Sequence, residues 1–259
     1  MKQGLSQKII DANIELHKKS AKHYDKIHPE IFNKKEQDLI NHVLDQVLAK
    51  IKLEKIKVLD LGAGTGNIAL KLLNNPRIES IIAVDLSKEM LDELEKKAAV
   101  NSKLKIANKP ADDFLADNED NYDLITISSV LHHLPDYFGT IELILKKLAP
   151  GGVLVIFHEP TGEKSSLLSI CEWLDSRLFV NLFLSKDLRN IVKSLDTSLA
   201  DYHVYHDFDL AGLKKFFKAK NNLEIIFFQK HNTFALRFLR LLGKYLPKKN
   251  NFILAAQKK

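Results

Sequence analysis

The chain holds a single cysteine, Cys171, in 259 residues. That excludes an internal disulfide framework and fits a reducing compartment. With one cysteine and scattered histidines there is no zinc-ligand spacing to read, so no metal is expected. No apolar run reaches the roughly 18 residues that a membrane-spanning helix needs. The opening Met1-Lys2-Gln3-Gly4 lacks the apolar core of a signal peptide, and a cytoplasmic location is the resulting expectation. Acids are scarce toward the carboxyl end. From Leu213 onward twelve Lys or Arg stand against one acid, Glu224, in a chain whose net charge is +6. Such a region can meet nucleic acid, anionic lipid or an acidic substrate, or be a solvated lysine-rich surface. Composition is otherwise that of a globular protein, and the length suits one sizeable core carrying an insertion.

The most informative stretch is Lys57-Val58-Leu59-Asp60-Leu61-Gly62-Ala63-Gly64-Thr65-Gly66-Asn67. A short apolar run suited to a buried strand breaks into three alternating glycines and resumes with helical character at Ile68. Strand, glycine turn and helix start make the first half of a nucleotide-binding βαβ unit. The spacing is G-x-G-x-G, not the G-x-G-x-x-G of nicotinamide dehydrogenases. Asp60 lies on the strand before the turn. Asp85 ends the next apolar run, Ile81-Ile82-Ala83-Val84, where a carboxylate can accept both hydroxyls of a ribose.

With these residues in place the chain resembles class I S-adenosylmethionine-dependent methyltransferases of the small-molecule type. Two further stretches carry the resemblance. Strand four ends in Ser128-Ser129 and runs into Val130-Leu131-His132-His133-Leu134-Pro135, and Leu148-Ala149-Pro150-Gly151-Gly152 precedes a fifth strand. The resemblance implies a seven-stranded Rossmann-like α/β sheet of order 3-2-1-4-5-7-6, the last strand antiparallel, with N-terminal helices and a helical insertion after strand five. It implies S-adenosyl-L-methionine as cofactor. Asp60, Gly62, Ala63 and Gly64 would form the cradle, Asp85 would hold the ribose, and Leu86 and Met90 would pack on the adenosine. Asp112 or Asp113 would meet the adenine, and Ser128 would lie beside the methionine part. The segment Ser20 to Asp25 resembles the family's closing helix, so Tyr24 either lines the pocket or packs between helices.

The expected organisation is a helical cap over 1–52, a cofactor-binding core over 53–160, an acceptor lid over 161–206, and the remainder of the core over 207–259. The lid region is long and apolar, which suggests a small acceptor of lipophilic character, or simply a larger core. Methyl transfer needs alignment and exclusion of water, and a general base only if the acceptor loses a proton. His158, with Glu159 adjacent, and His133 are the candidate bases, each against a reading as a hydrogen-bonded loop histidine. In the segment 234–246, Arg237, Arg240 and Lys244 share one face of a helix if the segment is continuous. Peripheral contact with anionic membrane and half-burial against the insertion are the two readings. An RNA methyltransferase drawing on the basic tail, and a non-catalytic scaffold, are the alternative functions. No nucleic-acid-binding module is recognisable, so nucleic acid is the less favoured partner.

Overall fold

The computed structural model describes residues 2–195 and 208–259. The helical N-terminal segment comprises α1 (Lys2–Ser20), the short turns α2 (Tyr24–Ile27) and α3 (Pro29–Phe32), and α4 (Lys34–Lys50). Proline at position 29 begins α3 because a first helical position has no N–H to lose. Asn33 caps α4, its side chain accepting from the backbone of Lys35 and Glu36. Alternating strands and helices follow: β1 (Ile56–Leu61), α5 (Ala69–Leu73), β2 (Ile78–Asp85), α6 (Lys88–Ala98), β3 (Leu104–Asn108), α7 (Ala111–Asp117), β4 (Tyr122–Ser128), α8 (Tyr137–Lys147) and β5 (Leu148–Pro160). Two helices of the insertion, α9 (Ser166–Phe183) and α10 (Lys186–Ser194), precede a helix over Leu210–Ala219 and strands β6 (Leu223–His231) and β7 (Asn251–Lys258). The part of the expected lid from 196 to 206 lies outside the described residues.

The sheet runs β3-β2-β1-β4-β5-β7-β6, with β7 antiparallel to both β5 and β6. This is the expected arrangement, and it places the ends of β1, β2, β4, β5 and β6 at one edge. The inner strands β1 and β4 are rich in Val, Ile and Leu and buried on both faces, as parallel strands between helical layers must be. One core layer lies against α4, α5 and α6, the other against α7, α8 and the Leu210–Ala219 helix. Ile40, Val43, Leu44 and Val47 bury α4 in the first layer, so α4 is fixed to the sheet far more firmly than the turns before it.

Two expectations are corrected. β5 begins at Leu148 rather than Val153, because Leu148 already pairs with Tyr122 before a register shift carries the strand past the glycines. The helix expected across 234–246 covers only Arg237–Leu242, and Gly243 caps it. Lys244 therefore falls beyond its end. Arg240 turns inward, donating to the carbonyls of Phe234 and Ala235, so the three basic residues do not form one helical face. This segment packs against α9 through Phe234, Leu236 and Leu239, and Asp175 of α9 accepts the backbone N–H groups of Ala235 and Leu236 at 2.7 and 2.8 Å. Among the described residues no helix is long and apolar enough to cross a membrane.

Candidate active site

The turn after β1 is held by its own geometry. Gly62 has φ +67°, and a Cβ there would lie 2.1 Å from a methyl of Val130. Gly64 has φ +54° and faces open space, so at that point the backbone can be approached closely. Asp85, at the end of β2, ties the turn down: its Oδ2 accepts the Gly64 N–H and its Oδ1 accepts the Ser87 N–H, both at 2.8 Å. Each oxygen keeps acceptor capacity, because a carboxylate offers about four lone-pair sites. Burial pushes the Asp85 carboxyl up to about 6, against the pull of the N–H groups it accepts.

Asp60 on β1 accepts the Thr126 hydroxyl at 2.6 Å through Oδ1. Its Oδ2 is buried and makes no hydrogen bond of good geometry, although the Ala69 backbone N–H acts on the carboxyl. Burial raises this carboxyl to about 7. An ionisable oxygen left open beside a glycine turn is an incomplete arrangement that a cationic or hydrogen-bond-donating group would complete.

The glycine turn and Asp85 open onto a cavity of about 270 Å³. The structure brings Gly62, Gly64, Asp85, Leu86, Met90 and Ser128 together on its walls, with Asp112 and Asp113 at the α7 end and Tyr24 and His133 on the opposite side. Asp112 is engaged by the Thr140 hydroxyl at 2.6 Å. Asp60 and Ala63 line a smaller adjoining space of about 40 Å³, shared with Gly62, Gly64, Ser128 and Tyr24. The α1 side chains Ile9, Asn13 and His17 roof the larger cavity.

A second cavity, of about 320 Å³, meets the first at His17, Tyr24, Ser129 and His133. Its walls are mixed, with His28, His132, His158 and Glu172 set among Leu16, Ile31 and Pro160, and Glu172 and Leu195 bring the insertion to its border. His17 is held neutral at ordinary pH: burial, then the neighbouring His28 and His132, lower it to about 4. Its ring meets that of His133 edge-on at 5.9 Å.

Glu159 does not orient His158. Its carboxylate accepts the N–H groups of Val130, Leu131 and His132 at 2.7, 2.8 and 3.1 Å, and its Oε2 lies 2.8 Å from His132 Nδ1. It thus fixes the loop that carries His133. His158 takes the opposite direction. A register shift in the β5–β7 pairing between Ile156 and Glu159, with φ +51° at His158, turns the ring toward Glu36 of α4. No sequence signal joins residues so far apart, although a glutamate within the apolar periodicity of α4 was a visible oddity.

A sequence profile of the family described as a methyltransferase domain matches residues 32–199. The chain is 32% identical over 123 residues to the tRNA 5-carboxymethoxyuridine methyltransferase of Escherichia coli K12, over 46% of each chain. It is 28% identical over 128 residues to the ubiquinone biosynthesis O-methyltransferase of Psychrobacter cryohalolentis, over 48% of this chain and 49% of that one. The chain spans about half the length of the curated relatives it matches. Among solved structures, magnesium protoporphyrin IX methyltransferase from Synechocystis PCC 6803 with bound S-adenosylhomocysteine aligns over 86% of this chain and 83% of that one, with TM-score 0.55 and 17% identity. A plantazolicin methyltransferase in complex with a triazolic desmethylPZN analogue and S-adenosylhomocysteine aligns over 99% and 98%, with TM-score 0.57 and 12% identity. At these identities the likeness is one of fold.

Proposed function

The chain belongs to the methyltransferase-domain family, and from that we propose that it uses S-adenosyl-L-methionine to methylate a small acceptor held in the second cavity. The observation that carries this reading is the cradle. Asp85 keeps open acceptor positions beside a glycine turn, and Asp60 offers an unpartnered buried oxygen next to it. Those features fit a ligand with a vicinal diol and an ammonium group. Asp85 would accept the ribose hydroxyls, Asp60 would face the α-amino group, and Leu86 and Met90 would flank the adenine, with Asp112 or Asp113 at its amino edge. When bound, the cofactor supplies an already activated methyl group for in-line displacement.

The protein's own residues then have three tasks. The roof from α1 excludes water, which strengthens every polar contact beneath it. Tyr24 and Ser129, at the junction of the cavities, orient the two ligands. His133, at the same junction, receives the acceptor's proton where one must be lost; we favour it over His158, whose ring is directed at Glu36. The histidines and acid of the second cavity favour an acceptor with ionisable or hydrogen-bonding groups. Leu16, Ile31 and Leu195 on the same walls also suit an apolar part of the acceptor, whereas Leu167, Ile170 and Trp173 of the insertion face outward. On the organisation, we propose that the insertion serves as the acceptor lid.

Calorimetric titration with S-adenosylmethionine and S-adenosylhomocysteine, with NADH as control, tests the reading. Micromolar binding of the first two is expected. No binding by folded protein would leave a scaffold role in its place. A second reading, methylation of an RNA nucleotide, is favoured by the name of the Escherichia coli relative and by the basic carboxyl-terminal region. Tight RNA binding that weakens steeply with salt would establish it. For partners and place, we propose a cytoplasmic protein that touches anionic membrane through the exposed Phe238, Leu241, Leu242 and Tyr245, flanked by Arg237 and Lys244.

A further inference from the structure

Glu36, His158 and His231 converge in the interior, outside the cradle. They come from the first turn of α4, the end of β5 and the end of β6. β5 and β6 end at the same edge because both run antiparallel to β7. All three are nearly closed to solvent, at 0%, 4% and 6% exposure. Burying a carboxylate and two imidazoles is strongly unfavourable unless they are well paired. Here they are close but misaligned. His231 Nε2 lies 3.0 Å from Glu36 Oε2, and His158 Nε2 lies 3.6 Å from the same oxygen. Yet neither carboxylate oxygen and none of the four ring nitrogens makes a hydrogen bond of acceptable geometry. Among the described residues the cation paired with Glu36 is Lys35, whose Nζ is 3.4 Å from Oε1 on a side chain that is 43% exposed.

We infer that Glu36, His158 and His231 form a binding site for a divalent ion of the zinc class, which fastens α4 to the sheet edge beside the second cavity. The donor set is two imidazoles and one carboxylate, which suits zinc and its transition-metal neighbours and not the all-oxygen preference of magnesium or calcium. The spacing suits it as well. Tetrahedral ligands at about 2.1 Å from an ion are roughly 3.4 Å apart, and the distances of 3.0 and 3.6 Å bracket that value. One ligand atom from each residue falls within 4.8 Å of the others. Three protein donors leave one position for water or another small donor. His158 is the member of the set that also borders the second cavity. The Nδ1 atoms of both rings find no acceptor among the described residues. The outer hydrogen bonds that usually tighten a histidine site are therefore missing, and the site falls in the micromolar range.

The test uses untagged, chelator-treated full-length protein titrated with Zn²⁺ and with Co²⁺. The metal content after dialysis and the visible absorption of tetrahedral cobalt are the readouts. One equivalent per chain at micromolar affinity is expected. Glu36→Gln and His231→Gln should each weaken uptake at least tenfold, whereas His42→Ala, on an exposed part of α4, should leave it unchanged. Circular dichroism verifies that each variant is folded. If the wild-type chain takes up no stoichiometric metal, or if both ligand variants take up as much as wild type, the inference is wrong. Because the wild-type stoichiometry decides the first point, a variant that fails to fold does not shelter the idea. Titration of the same samples with S-adenosylmethionine reads the cradle separately, so either reading can fail while the other stands.

Discussion

Lowering the pH should strip the cofactor from this protein in a window set by Asp85 and Asp60. Their carboxyls are raised by burial to about 6 and about 7, and the proposed ligand needs them ionised. From pH 7.5 to pH 5 the ionised fraction of a group with pKa about 6 falls roughly tenfold, and that of a group with pKa about 7 falls roughly seventyfold. Affinity for S-adenosylmethionine should therefore drop about tenfold if Asp85 alone matters, and approach roughly a thousandfold if both do. The two acids repel each other, so their titrations are those of a pair. Asp85→Ala removes two charge-assisted hydrogen bonds to the ribose, at about 1.5–3 kcal/mol each, and should weaken binding by about 10²- to 10⁴-fold at pH 7.5. It should also flatten the remaining pH dependence to that of Asp60. Calorimetry from pH 5 to 7.5 measures both effects. Affinity constant within threefold across that range, or an Asp85→Ala variant within tenfold of wild type, would refute the assignment of the cradle.

Asp60→Asn should trade affinity for stability. The folded-state carboxyl lies at about 7, above its ordinary 3.8, so the wild-type chain loses stability as pH rises from about 4 through about 7. The ligand-free Asn variant should then melt higher than wild type at pH 8 and equally at pH 4.5; a lower melting temperature at pH 8 would count against the unpartnered oxygen. Glu159→Gln should cost about 2–4 kcal/mol in urea unfolding, because one of the two oxygens that accept the N–H groups of the loop after β4 becomes an NH2 donor and the charge is lost; a loss below about 1 kcal/mol would show that the loop holds itself. Replacing Arg237 and Lys244 by glutamate should reduce co-sedimentation with anionic vesicles at least tenfold, and unchanged sedimentation would remove that surface from consideration.

The sheet, its order and the glycine turn were legible because each is written in contiguous residues. A buried strand, three glycines and a helix start occupy one stretch, and Asp85 closes the next strand. The roles of Glu159 and Glu36 were not legible. Glu159 sits beside His158 in the chain, and adjacency suggested a pair. In a strand, successive side chains leave on opposite sides, so the neighbour of His158 was poorly placed to serve it. Glu36 meets residues from β5 and β6 that only the closed sheet brings near. The basic face over 234–246 failed for a different reason. Helical periodicity continues past Gly243 on paper, but the helix is six residues long and Arg240 donates to backbone carbonyls.

Access to the cradle follows from how unequally the N-terminal helices are attached. Movement of α1 and the turns after it would widen access to the space beneath Ile9, Asn13, His17 and Tyr24. Besides the packing of buried Ile9 and Ala21, these elements are tied on the cradle side by Asp25, which accepts from the Thr65 hydroxyl and pairs with Lys97, each at 2.6 Å. The ion pair is about one-third exposed, and such a pair contributes about 0.2–1 kcal/mol. α4 is held differently, by fully buried Ile40, Val43 and Val47 and by Glu36 against β5 and β6. Each large apolar side chain withdrawn from that layer would cost about 1.5–3 kcal/mol. The expected route of opening is therefore release at Asp25, with Asn33, the cap of α4, as the boundary of the moving part. Asp25→Ala should accelerate cofactor exchange in stopped-flow displacement while leaving the cradle contacts intact. An exchange rate equal to wild type would place the barrier elsewhere in the roof.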